Sequence, residues 1–278
     1  SLLERCSFPD RPVDCAVSGG PDSMALLALA SSAGLEVTAI HVDHGIRADS
    51  ENEADIVALA AERFGAKFES RTIHVEAGPN LEERARKARY SILPENVLTG
   101  HTADDQAETI LLALLRGSAW QGMSGITPSN DRPILQLRRS ETEGLCSSLD
   151  IQTVTDPSNL DPQFRRNRIR HELLPLVCEI AERDLVPILV RQAELFRDGS
   201  TFISEEARKI DPTDSRALEN APKIISREAI RNWIWKTRGD DHPPDLATID
   251  RVLDVAFLES VATDIGKGWR VARTDRVL

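Results

Sequence analysis

Nothing in the sequence forms a CxxC pair, a long apolar run, an internal repeat or a low-complexity tract. The four cysteines, Cys6, Cys15, Cys146 and Cys178, lie far apart, so neither a zinc ribbon nor an iron–sulfur ligand run is suggested. Reduced thiols in a cytosolic protein are the simplest account of them, and a cytoplasmic location is expected. The longest apolar runs, Met24 to Ala30 and Ile110 to Leu115, are far too short to span a bilayer, and no signal peptide is visible. No membrane is therefore expected as a partner. Acidic residues outnumber basic ones, so nothing is globally basic. The formal net charge is −11, so a nucleic-acid partner would have to use a local basic patch. Two familiar nucleotide loops are missing as well: there is no G-x-x-x-x-G-K-[ST] with its lysine, and no G-x-G-x-x-G.

What is present instead is Ser18-Gly19-Gly20-Pro21-Asp22-Ser23. It follows an apolar stretch, Val13 to Val17, that reads as a buried strand broken only by Asp14. It precedes Met24 to Ala33, which reads as a helix stopped by Gly34. Glycines let a backbone approach a ligand closely, and Pro21 suits a helix start. Free amides at a helix N-terminus attract phosphate. Asp22 is suited to holding a divalent cation against that phosphate, and Ser18 and Ser23 to donating hydrogen bonds.

Downstream, strands are predicted at Glu36 to His41, Lys67 to Ile73 and Asn96 to Thr99. Helices are predicted from the Ser50/Glu53 capping box to Phe64, over Asn80 to Leu93, and around Ile110 to Leu115. This alternation predicts an α/β fold built on a doubly wound parallel sheet. The loops Ser18 to Ser23, His41 to Arg47 and Gly100 to Asp105 each follow a strand, so they should meet at one sheet edge. Gly117 to Arg132 is a long Gly/Ser-rich loop, a length typical of lids. A capped helix is predicted from Ser140/Glu143, an edge strand at Thr153 to Thr155, a turn at Asp156 to Pro162, and an arginine-rich helix from Phe164 that ends at Pro175. Pro187 falls near a further helix start. The expected division is residues 1–190 as a catalytic domain and 195–278 as a smaller, mostly helical domain that ends in a β piece.

Three stretches beyond the loop carry unusual chemistry. Gly100-His101-Thr102-Ala103-Asp104-Asp105-Gln106-Ala107-Glu108 sets three carboxylates at a helix start beside a histidine. Read blandly, this is an acid-capped helix; read functionally, it is a metal and general-base cluster. Leu81 to Tyr90 is a basic helix that internal pairs such as Glu82–Arg86 would also explain. Phe164 to Pro175 holds Arg165, Arg166, Arg168 and Arg170, an arginine concentration that suits phosphate oxygens in a chain that is otherwise acidic.

The loop SGGPDS resembles that of the PP-loop ATP pyrophosphatases. With HVDHGIR, the pattern from Glu82 to Tyr90, GHTADDQAET, LLRGS, DPSN and RNRIRHELLP in that order, residues 13 to 178 resemble the tRNA(Ile)-lysidine synthases. The resemblance implies a ligase that adenylates the C2 oxygen of the wobble cytidine in a CAU-anticodon tRNA(Ile). Free L-lysine then displaces AMP to form lysidine. It implies ATP as co-substrate and Mg²⁺ as cofactor. Ser18, Gly19, Gly20, Pro21, Asp22 and Ser23 match the nucleotide-binding loop. Asp22 and Asp105 are expected at the metal, and Asp105 is alternatively a base. His101 is expected at the α-phosphate. Arg86 and Glu108 are expected to hold lysine, and Arg168 and Arg170 to contact tRNA phosphate or adenylate, with Arg170 also in the catalytic set. Asp43 stands where many members have Asn. Members are often dimers, so a homodimer is a candidate assembly. Three alternatives stay open on the residues alone: a tRNA thiolation enzyme, a PP-loop enzyme that modifies a small molecule, and a non-catalytic RNA-binding module that keeps the fold.

Overall fold

The computed structural model describes residues 1–43, 50–73, 81–240 and 242–278; the side chains of residues 50, 51, 81–83, 85 and 86 also fall outside the description. The described chain forms two compact units, Ser1–Ala193 and Glu194–Leu278.

In the first unit, β1 (Val13–Ala16) leads into α1 (Pro21–Ser32), β2 (Val37–Asp43), α2 (Ser50–Arg63), β3 (Lys67–Thr72) and α3 (Leu81–Ile92). The three strands are parallel in the order β1-β2-β3, with Val13 opposite Val37 and Thr38 opposite Lys67. Alternation along the strands assigns the two faces. Val13, Cys15 and Val17, with Val37 and Ala39, pack into one core with α1 and with Val57, Ala60 and Ala61 of α2. Ile40 and Val42 join Ile73, Leu93 and Val97 on the other face, where Ala88 and Ile92 of α3 cover them. Helices therefore close both faces, as a parallel sheet requires. Residues 23 to 30 of α1 are all buried, because α1 lies between the sheet and α6 (Arg139–Ser148).

The predicted strand at Asn96 to Thr99 is reduced to one parallel bridge, between Leu98 and Cys15. The Leu98 amide donates to Asp14 O at 2.7 Å and its carbonyl accepts from Ala16 at 2.9 Å. Pro94 and Gly100 bracket the segment and leave no room for a longer ladder. The bridge still places β1 between β2 and Leu98, so the chain crosses over to both sides of β1. In such sheets the crevice beyond the carboxyl ends of the strands is the ligand site.

The rest of the unit comprises α4 (Ala103–Leu115), α5 (Trp120–Met123), α6, α7 (Arg165–Arg168), a π-helical turn at Ile169–Leu173, α8 (Leu174–Ile180) and the first part of α9 (Val186–Ala207). Four expectations need correction. The long loop after Gly117 contains a helical turn, α5. The α6 cap is Arg138 with Glu141, whose carboxylate accepts the Arg138 amide at 2.8 Å, and not Ser140 with Glu143. Thr153 to Thr155 forms no strand among the described residues; the Val154 amide donates to Gly19 O at 2.9 Å. Helical structure also continues past Pro175. The wide π turn comes first, and Pro175 then occupies the opening turn of α8, where its missing N–H costs nothing. The residues His44 to Arg47 of the predicted second loop lie outside the described residues, whereas His41 to Asp43 belong to β2.

The second unit holds the end of α9, α10 (Ser215–Asn220), α11 (Lys223–Arg238), α12 (Leu246–Ala256) and an antiparallel hairpin of β4 (Ala262–Gly266) and β5 (Trp269–Ala272). Leu218, Ile230, Ile234, Val252, Leu253, Ile265 and Val271 form its own core. No described helix is long and apolar enough to cross a membrane.

Leu98 is fully buried at the centre of the first unit, so Leu98→Ala should lower unfolding free energy by about 2–5 kcal/mol in urea titrations. Ile180→Ala, at a side chain 73% exposed, should change it by no more than about 0.5 kcal/mol. Equal effects would contradict the placement of the core.

Candidate active site

The Ser18 to Ser23 loop is built from within. Ser23 Oγ donates to Gly20 O at 2.9 Å and accepts the Ser18 amide at 3.2 Å; Ser18 Oγ lies 3.2 Å from it and donates to it, because the Ser23 proton is already used. Gly20 caps α1 in an extended conformation and Pro21 opens the helix. Gly19 has φ +88°, and a Cβ there would stand 2.7 Å from Val154 Cγ2. The loop therefore needs glycine for both conformation and space. His41, buried in β2, pins the strand end through Nδ1, which donates to Val17 O at 2.9 Å.

Gly100 brings the second loop against the first. A Cβ on Gly100 would lie 2.9 Å from the Asp22 carbonyl carbon and oxygen. His101 follows, its Nδ1 2.8 Å from Thr99 Oγ1. Thr102 then caps α4. Asp105 Oδ2 accepts the Thr102 amide at 2.8 Å and hydroxyl at 3.0 Å, which leaves Oδ1 aimed elsewhere.

Oδ1 faces guanidinium groups. Arg139 bridges three carboxylates: Nε to Asp22 at 3.3 Å, Nη2 to Asp105 Oδ1 at 3.2 Å and Nη1 to Glu108 at 3.0 Å. Arg166 reaches Asp105 Oδ1 at 2.9 Å and Glu108 Oε2 at 2.7 Å. Arg170 grips Glu108 with Nε at 2.6 Å and Nη2 at 3.0 Å. The Glu108 side chain is 0% exposed. Beside this cluster, Arg138 holds Asp104 at 3.0 Å and also pairs with Asp184. Thr142, one turn into α6, donates to Asp22 Oδ1.

The electrostatics follow from this geometry. Burial pushes the Asp22 carboxyl up and the nearby Asp105 charge adds to it, against the hydrogen bond from Thr142 and the charge of Arg139; the balance stays above the ordinary value. Burial also pushes Glu108 up. There the hydrogen bond and charge of Arg170, with the charges of Arg139 and Arg166, win and hold it at about 2. Asp104 is held low in the same way, burial being outweighed by Arg138 and the Arg139 amide.

A cavity of about 490 Å³ opens at this point. Its walls include Ser18, Asp22, His101, Asp105, Arg139 and Arg170. The structure thus gathers most of the residues read from the sequence. The arginine run splits by helical spacing. Arg166 and Arg170, four apart, turn inward. Arg168 turns outward to Glu172 at 2.8 Å and stands apart from the cluster. The Arg86 side chain lies outside the described residues, although its backbone is part of α3. Among the described residues no group of three or more His, Cys, Asp or Glu is arranged to hold a metal. Asp22 and Asp105 nevertheless converge on one guanidinium. That fits Mg²⁺, which takes one or two carboxylates and completes its shell with phosphate and water.

A family model described as a PP-loop domain matches residues 2–177. Relatives named tRNA(Ile)-lysidine synthase include that of Rhodococcus erythropolis, 39% identical over 81% of this chain and 74% of the relative. That of Nocardia farcinica is 37% identical over 80% and 75%. The chain belongs to the tRNA(Ile)-lysidine synthase family. The U34-tRNA thiolase of Methanococcus maripaludis, solved with its [4Fe-4S] cluster, has a TM-score of 0.54 at 16% identity. It covers 70% of this chain and 77% of its own, a likeness of fold alone.

Within this family reading, the DPSN and RNRIRH motifs belong together for a visible reason. Asn167 Nδ2 donates to Ser158 O at 2.7 Å and Asp161 O at 3.0 Å, and His171 Nε2 lies 3.0 Å from Asn159 O. The turn is bolted to the helix that carries Arg166 and Arg170. The sequence reading missed Arg139 and Thr142, and it did not single out Arg166 within the arginine run. The Arg138-Arg139 pair at the start of a helix was the available signal, and placing the cap at Ser140 hid it.

Gly100→Ala should lower the melting temperature, because its Cβ meets backbone. Gly144→Ala, with nothing within 4 Å in the middle of α6, should hold or raise it. The opposite order would contradict the close approach of the loops. A second expectation concerns acid. The folded value of Glu108 lies below its ordinary 4.5, so its stabilisation is full above about 4.5 and is lost as pH falls toward about 2. The stability gap between wild type and Glu108→Gln should therefore shrink across that window in urea titrations; a gap independent of pH would contradict the pairing.

Proposed function

We propose that this protein is a tRNA(Ile)-lysidine synthase, a carbon–nitrogen ligase that converts ATP to AMP and diphosphate. The wobble cytidine C2 oxygen of a CAU-anticodon tRNA(Ile) attacks the α-phosphorus, and pyrophosphate leaves. The ε-amine of free L-lysine then attacks C2, and the oxygen departs with AMP. The observation that carries this reading is the convergence of the SGGPDS loop with His101 and Asp105 on one cavity, in a chain of this family.

Ser18, Gly19, Gly20, Pro21 and Ser23 cradle the leaving pyrophosphate, whose charge the α1 amides offset. Asp22 and Asp105 would hold Mg²⁺. When bound, that ion neutralises charge developing on the phosphates. In this reading His101 contacts the α-phosphate and Arg170 meets the adenylate. Glu108 and Arg86 receive the two charged ends of lysine. Lysine ammonium has a pKa near 10.4, so freeing the amine at pH 7 costs about 4–5 kcal/mol; a carboxylate helps by accepting that proton as a base, because as a fixed anion it would favour the ammonium. The outward-facing Arg165 and Arg168 offer phosphate contacts to tRNA on an otherwise acidic chain. The second unit, residues 194–278, is read as a tRNA-binding domain. A homodimer is the assembly this reading carries, and the cytoplasm is its location.

The test is AMP release from MgATP in the presence of lysine and CAU-anticodon tRNA(Ile). Wild type should release AMP only when tRNA is present. Asp105→Ala should lose this activity; because the change also removes the Thr102 cap and leaves Arg139 and Arg166 partly uncompensated, a melting curve is recorded to show that the variant is folded. Full activity in that folded variant would remove Asp105 from the chemistry.

A further inference from the structure

Glu108 is saturated. Oε1 accepts from Arg139 at 3.0 Å and Arg170 at 2.6 Å; Oε2 accepts from Arg166 at 2.7 Å and Arg170 at 3.0 Å. A carboxylate has about four acceptor positions, so an arriving ammonium finds none open. Charge gives the same result. Asp22, Asp105 and Glu108 are balanced by Arg139, Arg166 and Arg170, all largely buried. A fourth cation would enter this balanced set uncompensated, which a partly desolvated site penalises.

The cluster is not equally accessible. Arg139 and Arg170 form part of the cavity wall together with Ser18 and Gly20, whereas Arg166 and Glu108 do not. A triphosphate at the loop would bring several negative charges to those two guanidiniums, whose forks match phosphate oxygens. Each donor so engaged leaves a position open on Glu108.

We propose that Arg139 and Arg170 make lysine binding conditional on nucleotide: they occupy Glu108 until ATP phosphates draw them away, so that lysine enters second. This inference rests on the reading of Glu108 as the lysine-binding carboxylate and adds an order of filling to it. The order serves the chemistry. Lysine would otherwise wait beside an unactivated base, whereas here its seat opens as the adenylating half of the site is charged.

The test is calorimetric titration of L-lysine into the full chain, alone and with Mg²⁺ and α,β-methylene-ATP, which cannot be cleaved at the reacting bond. Lysine should bind about tenfold or more tightly with the analogue, and by reciprocity lysine should tighten the analogue equally. Arg139→Gln should bind lysine more tightly than wild type in the absence of nucleotide and lose most of the gain on adding it. Equal lysine affinity with and without the analogue in wild type would overturn the proposal while leaving lysine as the substrate; that comparison needs no variant. No lysine binding in either condition would overturn both this proposal and the functional reading beneath it. A wild-type gain retained in Arg139→Gln would overturn the role of Arg139.

Discussion

Six charges share one partly desolvated site, and the first unit is arranged so that each has an opposite partner. Asp22 comes from the first turn of α1, Asp105 and Glu108 from the start of α4, Arg139 from the start of α6, and Arg166 and Arg170 from the segment around the π turn. No single element could carry such a set, since any one charge left alone there would be strongly destabilising. The cluster therefore fixes four separate segments relative to one another. The same pairs set the electrostatics: Glu108 is held at about 2, while Asp22, more weakly compensated, is pushed up by burial.

The sheet provides the frame for this arrangement. Leu98, bridged to β1, sets Gly100 directly against the backbone of Asp22 and Ser23. That approach works only without a side chain, and it brings the phosphate loop and the acidic helix start to a common cavity. Gly19 plays the corresponding part on the other side, where Val154 packs into the space a Cβ would fill.

Much of this was legible in the sequence because the relevant signals are local. The loop is a short string of residues with special backbone demands, β1 is largely apolar and β2 is rich in β-branched residues, and α4 announces itself through its acids. The family resemblance added the ligands and the reaction, which no spacing supplies. Arg139 was not legible because its importance comes from where α6 starts in space, and Arg138-Arg139 before a Ser-x-x-Glu pattern reads as the tail of a loop. The arginine run was seen, but its split into inward Arg166 and Arg170 and outward Arg168 depends on helical phase and on the π turn. The edge strand at Thr153 failed because the Val154 amide goes to Gly19 of the loop and, among the described residues, no neighbouring strand pairs with it.

The central chemistry is the activation of a tRNA cytidine by ATP for attack by lysine. The most direct measurement is incorporation of radiolabelled L-lysine into a CAU-anticodon tRNA(Ile) transcript, with and without ATP, beside a methionine tRNA of the same anticodon. ATP-dependent label in the isoleucine tRNA alone is the predicted result. ATP cleavage to AMP and pyrophosphate with no lysine incorporated would keep the adenylating site and contradict lysine as the nucleophile.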